Sequence, residues 1–479
     1  MHIALICPEG PGHLNPMATL GRELARRGNR ISLVAGSHVK PKADAFGIEL
    51  LPFDVGERET RELQAGLQKL ARMKGLGAVR LTARLLRDRA AITLRYGPER
   101  LRAAGVEAVV VDHVSLAGAA LADTLRLPFV MVCISLPMHY ESGVPPWVFG
   151  WRYRPGPVGR LRNRFGYILL KLTVGPVVRT VSEFRRRHGF PRFRLDDINE
   201  LGLAQIAQQP EFFDYPRAEL PAHFHYTGPW HEPTRDSESV PFPWEKLDGR
   251  PLVYASLGTT VNRPHVLRAI LDGCAELPLQ VVLSLGQKEA TWDFLAPANA
   301  IVAPFAPQLT LLDRASLFIT HAGMNSVLEG LSHGVPMLCI PVANDHPGAA
   351  RRVERLGAGE ALKPERANAT RVRALVEKLL AGEYREAAQK CREQLKDNQG
   401  VVRAADIVEE AFRTGRRVER RQCPQFQDFP TTGPEETWEI RPAGSVRGVE
   451  KRAGLRENRS DQPMRRALLL LSIIHDRQQ

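Results

Sequence analysis

The sequence has few of the features that set a chain apart from ordinary soluble globular proteins. Its six cysteines, Cys7, Cys133, Cys274, Cys339, Cys391 and Cys423, lie far apart with no CxxC pair among them. Neither a disulfide scaffold nor a structural zinc site is expected, and a reducing compartment is the default. No stretch of about 18 apolar residues occurs, so no helix is expected to span a bilayer; the longest late run, Leu468 to Ile474, falls far short. The apolar start, Ile3 to Cys7, lacks the basic flank and small-residue cleavage site of a signal peptide. A cytoplasmic location is expected. No nucleic-acid recognition motif accompanies the positive charge, and nucleic acid is set aside as a partner.

What is present is the balance of a folded chain: 479 residues, 43% apolar and 25% charged, with a net charge of +13. That length suits two large domains plus extras. The charge is uneven. Between Trp151 and Arg194 twelve Lys and Arg side chains face Glu183 alone. Such a segment is a solvated face, or it meets an anionic membrane surface or an acidic ligand.

His2 to Cys7, Arg30 to Ala35, Val109 to Asp112 and Phe129 to Ile134 are short, continuously apolar runs. Strands buried on both faces of a parallel sheet read this way. Pro16 to Arg27 reads as a helix stopped by Gly28-Asn29. Pro229 to Pro251 is rich in proline and charge and reads as a linker. The pattern then restarts with strands over Leu252 to Ser256, Gln280 to Leu285, Ala300 to Ala303, Leu317 to Thr320 and Met337 to Ile340. Arg371 to Leu380 and Arg403 to Phe412 read as closing helices. The class is α/β: two tandem, doubly wound, Rossmann-like domains facing across a cleft. The expected division is 1–228, a linker over 229–250, a second domain over 251–414, and a basic, mostly disordered tail over 415–479.

Ligands bind at the carboxyl ends of such strands, so residues that follow strands are the candidates. After the first strand, Gly10-Pro11-Gly12-His13 makes a tight turn with His13 at a helix start. A dinucleotide is excluded. The third glycine is missing, and the second strand ends Ala35-Gly36-Ser37 without an acid for the ribose. His13 is either structural or a general base. Asp112 either caps the following helix or orients His13 and fixes its tautomer.

In the second half, Ser256-Leu257-Gly258-Thr259 follows a strand with small, hydroxyl-bearing residues that admit phosphate. The run from Thr320 to Gly330 is more specific. A strand ends, Gly323 turns the chain, and a helix begins whose amides and dipole suit a diphosphate. His321, Asn325 and Ser326 add donors, and Asn325 and Glu329, four apart, share a face where a carboxylate accepts two ribose hydroxyls. A capped core helix does not explain so many polar groups at one end.

Phe305-Ala306-Pro307-Gln308, His321 to Glu329, and Asp345-His346 resemble the donor-binding signature of the family 1 glycosyltransferases, UDP-sugar-dependent enzymes of the two-domain GT-B fold. The Gly-His-Leu-Asn-Pro turn at His13 and Asp112 fit that family's N-terminal half. The resemblance spans about residues 1 to 414 and is greatest to bacterial carotenoid (zeaxanthin-type) glucosyltransferases. It implies that Phe305 stacks on uracil, Gln308 bonds near the nucleoside, and Glu329 holds the ribose. His321, Ser326 and Thr259 would meet the diphosphate, and Asp345 and His346 the sugar. His346 stands where glutamine is usual, next to the acid that faces the sugar.

The reading is inverting, metal-independent transfer of a hexose, glucose first, with no cofactor beyond the UDP-sugar. His13, oriented by Asp112, would deprotonate the hydroxyl of an apolar acceptor. The favoured acceptor is a carotenoid or similar isoprenoid alcohol. Sterol or macrolide acceptors are the alternative, and a UDP-sugar binder without turnover is a third class. Val144 to Trp151 and Phe165 to Val178 are apolar beside the basic segment. They are ordinary core or an acceptor channel opening toward an anionic membrane.

Overall fold

The computed structural model describes residues 1–53, 65–66, 75–230, 240–258, 263–286 and 295–420. Thr259, Cys423 and the tail over 421–479 lie outside the described residues, as do residues 231–239 of the expected linker.

In the first half the strands are β1 (His2–Ile6), β2 (Arg30–Gly36), β3 (Glu49–Phe53), β4 (Ala108–Asp112), β5 (Phe129–Cys133), β6 (Gln205–Ala207) and β7 (Phe224–Tyr226). The helices are α1 (Pro11–Arg26), α2 (Lys40–Ala45), α3 (Gly75–Ala103), α4 (Leu116–Thr124) and α5 (Pro157–Arg187). The second half holds β8 (Leu252–Ser256), β9 (Gln280–Ser284), β10 (Ala300–Ala303), β11 (Ala315–Thr320), β12 (Met337–Cys339) and β13 (Gly359–Ala361). Its helices are α6 (Pro264–Cys274), α7 (Gln308–Leu312), α8 (Met324–Ser332), α9 (His346–Arg355), α10 (Ala369–Leu380), α11 (Gly382–Leu395) and α12 (Gly400–Thr414).

The strands form two parallel sheets, in the orders β3-β2-β1-β4-β5-β6-β7 and β10-β9-β8-β11-β12-β13. In each, the direction of winding reverses at the centre, between β1 and β4 and between β8 and β11. Those are the two places where a ligand crevice opens beyond the strand ends. Strands β1, β4, β5, β8 and β9 are buried along their whole length, as their unbroken apolar runs require. Helices cover both faces of each sheet, with one core on either side of the first (Ile3, Leu14, Val110; Ala4, Val109, Leu121) and of the second (Tyr254, Phe318, Val327; Val253, Ile270, Val376).

Three features depart from the expected layout. Helix α1 begins at Pro11, not Pro16: Pro11 suits a first turn, and Pro16 lies inside the helix. The last helix, α12, crosses back to the first half. Its Ala404, Ala405, Val408 and Phe412 share a core with Leu14 and Leu20 of α1, and Arg27 bonds Asp406 at 2.7 Å. The first six tail residues are held there too, with the Val418 amide on the Leu203 carbonyl at 2.9 Å.

The basic segment is mostly the single 31-residue helix α5. Part of its charge is paired: Lys171 with Asp196 at 2.7 Å at the surface, and Arg185 with Asp123. Cys7, Cys133, Cys274, Cys339 and Cys391 are buried and unbridged. Among the described residues no helix is long and apolar enough to cross a membrane.

Candidate active site

The first crevice is built from β1 and β4, which pair in parallel register, Ile6 against Val111. The chain leaving β1 turns at Gly10 and places His13 in the first turn of α1, while β4 ends on Asp112. His13 Nδ1–H donates to Asp112 Oδ2 at 2.7 Å. With Nδ1 carrying the proton, Nε2 keeps its lone pair and is the nitrogen that can take a proton from a ligand. The other carboxylate oxygen of Asp112 accepts the Val114 amide at 2.9 Å. Asp112 thus orients the ring and holds the turn after β4; it does not cap α4, whose N-cap position is Ser115.

Burial opposes charge on His13, but the charge and hydrogen bond of Asp112, with the charge of Asp345 behind them, outweigh it and raise the imidazole pKa. Burial likewise opposes charge on Asp112, and His13, His113 and the Val114 amide hold its pKa down. His113 is itself buried. It donates from Nδ1 to the Val132 carbonyl at 3.1 Å and accepts from the Ser135 hydroxyl at 3.3 Å, and burial keeps it neutral.

The second crevice is built in the same way from β8 and β11, with Ser256 opposite Thr320. The His321 ring fills the gap between the two turns. Gly258, at φ +78°, has no room for a Cβ: one would lie 2.8 Å from His321 Cε1. A Cβ on Gly323 would likewise collide with the ring. Burial, followed by the neighbouring His346, pushes the His321 pKa down to about 3, so the ring is neutral. Its Nδ1 is buried and makes no hydrogen bond. Ala322 and Asn344, in the turns just before α8 and α9, adopt left-handed φ values of 62° and 53°. Such backbone is costly for residues with a Cβ and marks turns shaped for more than connection.

At the first turns of α8 the candidate donor residues come together. Gln308 donates to the buried Glu329 carboxylate and accepts from the Tyr254 hydroxyl at 3.2 Å, with Ser326 Oγ 3.5 Å away. Phe305 is half-buried in the loop before them. Asp345 stands at the N-cap position of α9 without capping it, and its carboxylate instead accepts the Leu136 amide from the other half at 3.2 Å. His346 follows in the first turn and meets His321 edge-on, with ring centroids 4.7 Å apart. Burial pushes its pKa down to about 4. Its Nδ1 accepts the Ala343 amide at 3.4 Å, which leaves an N–H on Nε2.

Asn325 takes a different place from its neighbours. It reaches across the cleft, donating to the Gly12 carbonyl at 3.0 Å and accepting from Gln208 at 2.9 Å. A second tie is ionic. Asp214 accepts from Arg352 of α9, from Arg217 at 2.8 Å and from the Tyr226 hydroxyl at 2.9 Å; the carboxylate and both guanidinium side chains are buried, and Tyr226 is half-buried. Sequence reasoning missed His113, Ser135, Gln208 and Asp214. Gln208 directly follows β6, so the strand-end rule applies to it once that three-residue strand is recognised. Asp214 lies in a loop and shows no such signal. Among the described residues no group of three or more His, Cys, Asp or Glu side chains is placed to hold a metal ion.

Residues 193–401 match the model of the "UDP-glucoronosyl and UDP-glucosyl transferase" family. The chain is 29% identical over 422 residues to a zeaxanthin glucosyltransferase of Pantoea ananas, covering 87% of this chain and 97% of that one. It is 29% identical over 424 residues to the zeaxanthin glucosyltransferase of Pseudescherichia vulneris, covering 86% and 98%. Among solved structures, the kitacinnamycin glycosyltransferase superposes with a TM-score of 0.69 at 23% identity, over 86% of this chain and 99% of that one. The donor signature, the two switch-point crevices and these likenesses agree: the chain has the GT-B fold and is a glycosyltransferase similar to the UDP-glycosyltransferases of family 1.

Proposed function

We propose that the enzyme transfers a hexose, glucose in the first instance, from a UDP-sugar to the hydroxyl of an apolar acceptor, with inversion at the anomeric carbon. The observation that carries this is the His13–Asp112 pair at 2.7 Å, placed at the switch point of one sheet and facing α8, α9 and Asp345 beyond the switch point of the other. His13 Nε2 takes the acceptor proton as the acceptor oxygen attacks the anomeric carbon. The bond from that carbon to the diphosphate oxygen breaks, and UDP leaves with the electron pair. A single in-line displacement turns an α-linked donor into a β-glycoside.

The amides opening α8 and the His321 ring meet the charge that gathers on the leaving diphosphate. Glu329 accepts the ribose hydroxyls, with Gln308 and Phe305 at the nucleoside and Ser326 at the phosphates. Asp345 accepts from two sugar hydroxyls. His346 adds one donor from Nε2, its other nitrogen being taken by Ala343. Gln308 and Glu329 bond each other, and the Leu136 amide occupies Asp345, so these groups exchange partners when the donor arrives.

The favoured acceptor is a carotenoid or similar isoprenoid alcohol, on the strength of the two zeaxanthin glucosyltransferases among the relatives. Such an acceptor resides in membrane, and a peripheral contact with an anionic bilayer belongs to this reading. Incubation with UDP-glucose and UDP-galactose against hydroxylated carotenoids, sterols and macrolides, read by mass, tests it. A hexose added to the carotenoid supports the reading; addition to sterols or macrolides alone moves the acceptor class, and release of free sugar with every acceptor overturns transfer.

A further inference from the structure

Helix α5 carries an apolar stripe that the described residues leave exposed. Val158, Leu161, Ile168 and Leu172 are exposed to 75%, 70%, 55% and 50%, half of the eight exposed large hydrophobics among the described residues. Their spacings of three, seven and four put them on one side of the helix. The opposite side does the packing: Leu170, Val177 and Val181 are buried, and the helix contacts α3 and α4. An ordinary surface helix leaves its polar side outward, so this one is turned the wrong way for water alone.

The flanks of the stripe are cationic. Arg160 and Arg164 lie beside it and Arg179 continues it, all exposed and without an ion-pair partner among the described residues. Lys171, on the same flank, is half-neutralised by Asp196. Glu183 is the one acid on the helix, at its far end. Apolar side chains between arginines whose stems can lie along them match the boundary of an anionic bilayer, with acyl chain below and phosphate beside.

Charge selects among the occupants of this face. A second copy docked symmetrically would set Arg160, Arg164 and Arg179 against their own equivalents with no acid between them. The apolar run Leu468 to Ile474 of the same chain is preceded by Arg465 and Arg466 and brings no counter-charge at that end.

The stripe is also connected to the active site. The edge of the Trp151 ring lies against Gly166 of α5, Phe149 stacks on the ring with centroids 4.4 Å apart, and Arg162 lies over it, 5.0 Å from the ring centroid. From there the strap runs to α9, where Arg351 donates to the Gly150 carbonyl at 2.9 Å and the Trp147 carbonyl lies against Gly348, two residues beyond His346.

We infer that the Val158–Leu172 face of α5 docks on an anionic bilayer, lying in its interface plane and setting the acceptor crevice at the membrane surface. The purpose of the docking rests on the reading of a membrane-borne acceptor; the docking itself is measured without donor or acceptor. Flotation of the full chain with phosphatidylcholine vesicles, with and without about 30% phosphatidylglycerol, is the experiment.

Wild type should float with the anionic vesicles only, less so as salt rises. Leu161→Gln with Ile168→Gln should weaken binding about tenfold or more, and Arg160→Gln with Arg164→Gln about tenfold at low salt. Unchanged circular dichroism and melting separate these losses from misfolding. Equal binding to neutral vesicles, no binding to anionic ones, or variants that bind like wild type each overturn the docking surface. So does a dimer in light scattering that Leu161→Gln with Ile168→Gln makes monomeric. None of these outcomes touches glycosyl transfer, and failure to glycosylate an isoprenoid alcohol in detergent would overturn the acceptor while leaving the docking intact.

Discussion

Asn325 of α8 donates a hydrogen bond to the carbonyl of Gly12, one residue before His13, at 3.0 Å. In an unbroken helix that carbonyl would accept the amide four residues on. Here the residue is Pro16, which has no N–H to give. The proline that looked like a helix start is therefore an interior residue that frees an acceptor, and the second half of the molecule uses it. The turn carrying His13 and helix α8 are tied directly, with Gln208 bonded to the same side chain.

The buried Asp214 bears on stability. It accepts from Arg352, Arg217, Tyr226 and its own neighbour's amide, and the two arginines hold its carboxyl far below the usual range against the cost of burial. Asp214→Ala should destabilise the folded protein by about 3–5 kcal/mol, because two guanidinium groups stay buried unpaired. Denaturant unfolding checks this, and a loss under about 1 kcal/mol would show that water reaches the site and replaces the carboxylate.

The raised pKa of His13 fixes the sign of the pH response. Base catalysis needs the neutral ring, so kcat/KM should fall as pH drops through a midpoint above the ordinary value of 6.5. Asp112→Asn removes the charge that raises it and leaves the burial that lowers it, so the acid limb should shift downward while the maximal rate falls. Profiles of both proteins decide; an acid limb that stays in place would mean that another group titrates.

Glu329→Ala should weaken UDP binding by about 1–3 kcal/mol, since two ribose hydroxyls lose a charged acceptor and Gln308 loses its partner. Calorimetry with UDP reads this directly. An unchanged dissociation constant would reduce Glu329 to a buried partner of Gln308.

With Nδ1 taken by the Ala343 amide, His346 can offer a bound sugar a donor only, whereas glutamine at this position would offer a donor and an acceptor. If the sugar is read here, His346→Gln should raise the ratio of kcat/KM for UDP-glucose over UDP-galactose about tenfold, the worth of one hydrogen bond. A ratio that does not move would place sugar choice elsewhere.

Much of this was legible in the residues because the site sits where chain pattern is clearest. Runs such as Val109 to Val111 announce buried parallel strands, and the groups after them, His13, Asp112, Ser256 and His321, fall at the crevices by the rule of strand ends. The rest depends on contacts distant in sequence. Strands β6 and β7 are three residues each and too short to show a period. Helix α5 was hidden by Gly175-Pro176 in its middle and by arginines on both sides. That α12 joins the first half rather than the second follows from which core Val408 and Phe412 fill, and no local pattern carries that.

The most direct test of the account is the single variant His13→Ala, assayed for transfer and for UDP binding in the same preparation. The ring bonded to Asp112 at 2.7 Å is held responsible for removing the acceptor proton and for nothing in donor recognition. Turnover should fall by about 10²–10⁴ while UDP binds as in wild type. Near-normal turnover, or loss of UDP binding in step with loss of rate, would contradict it.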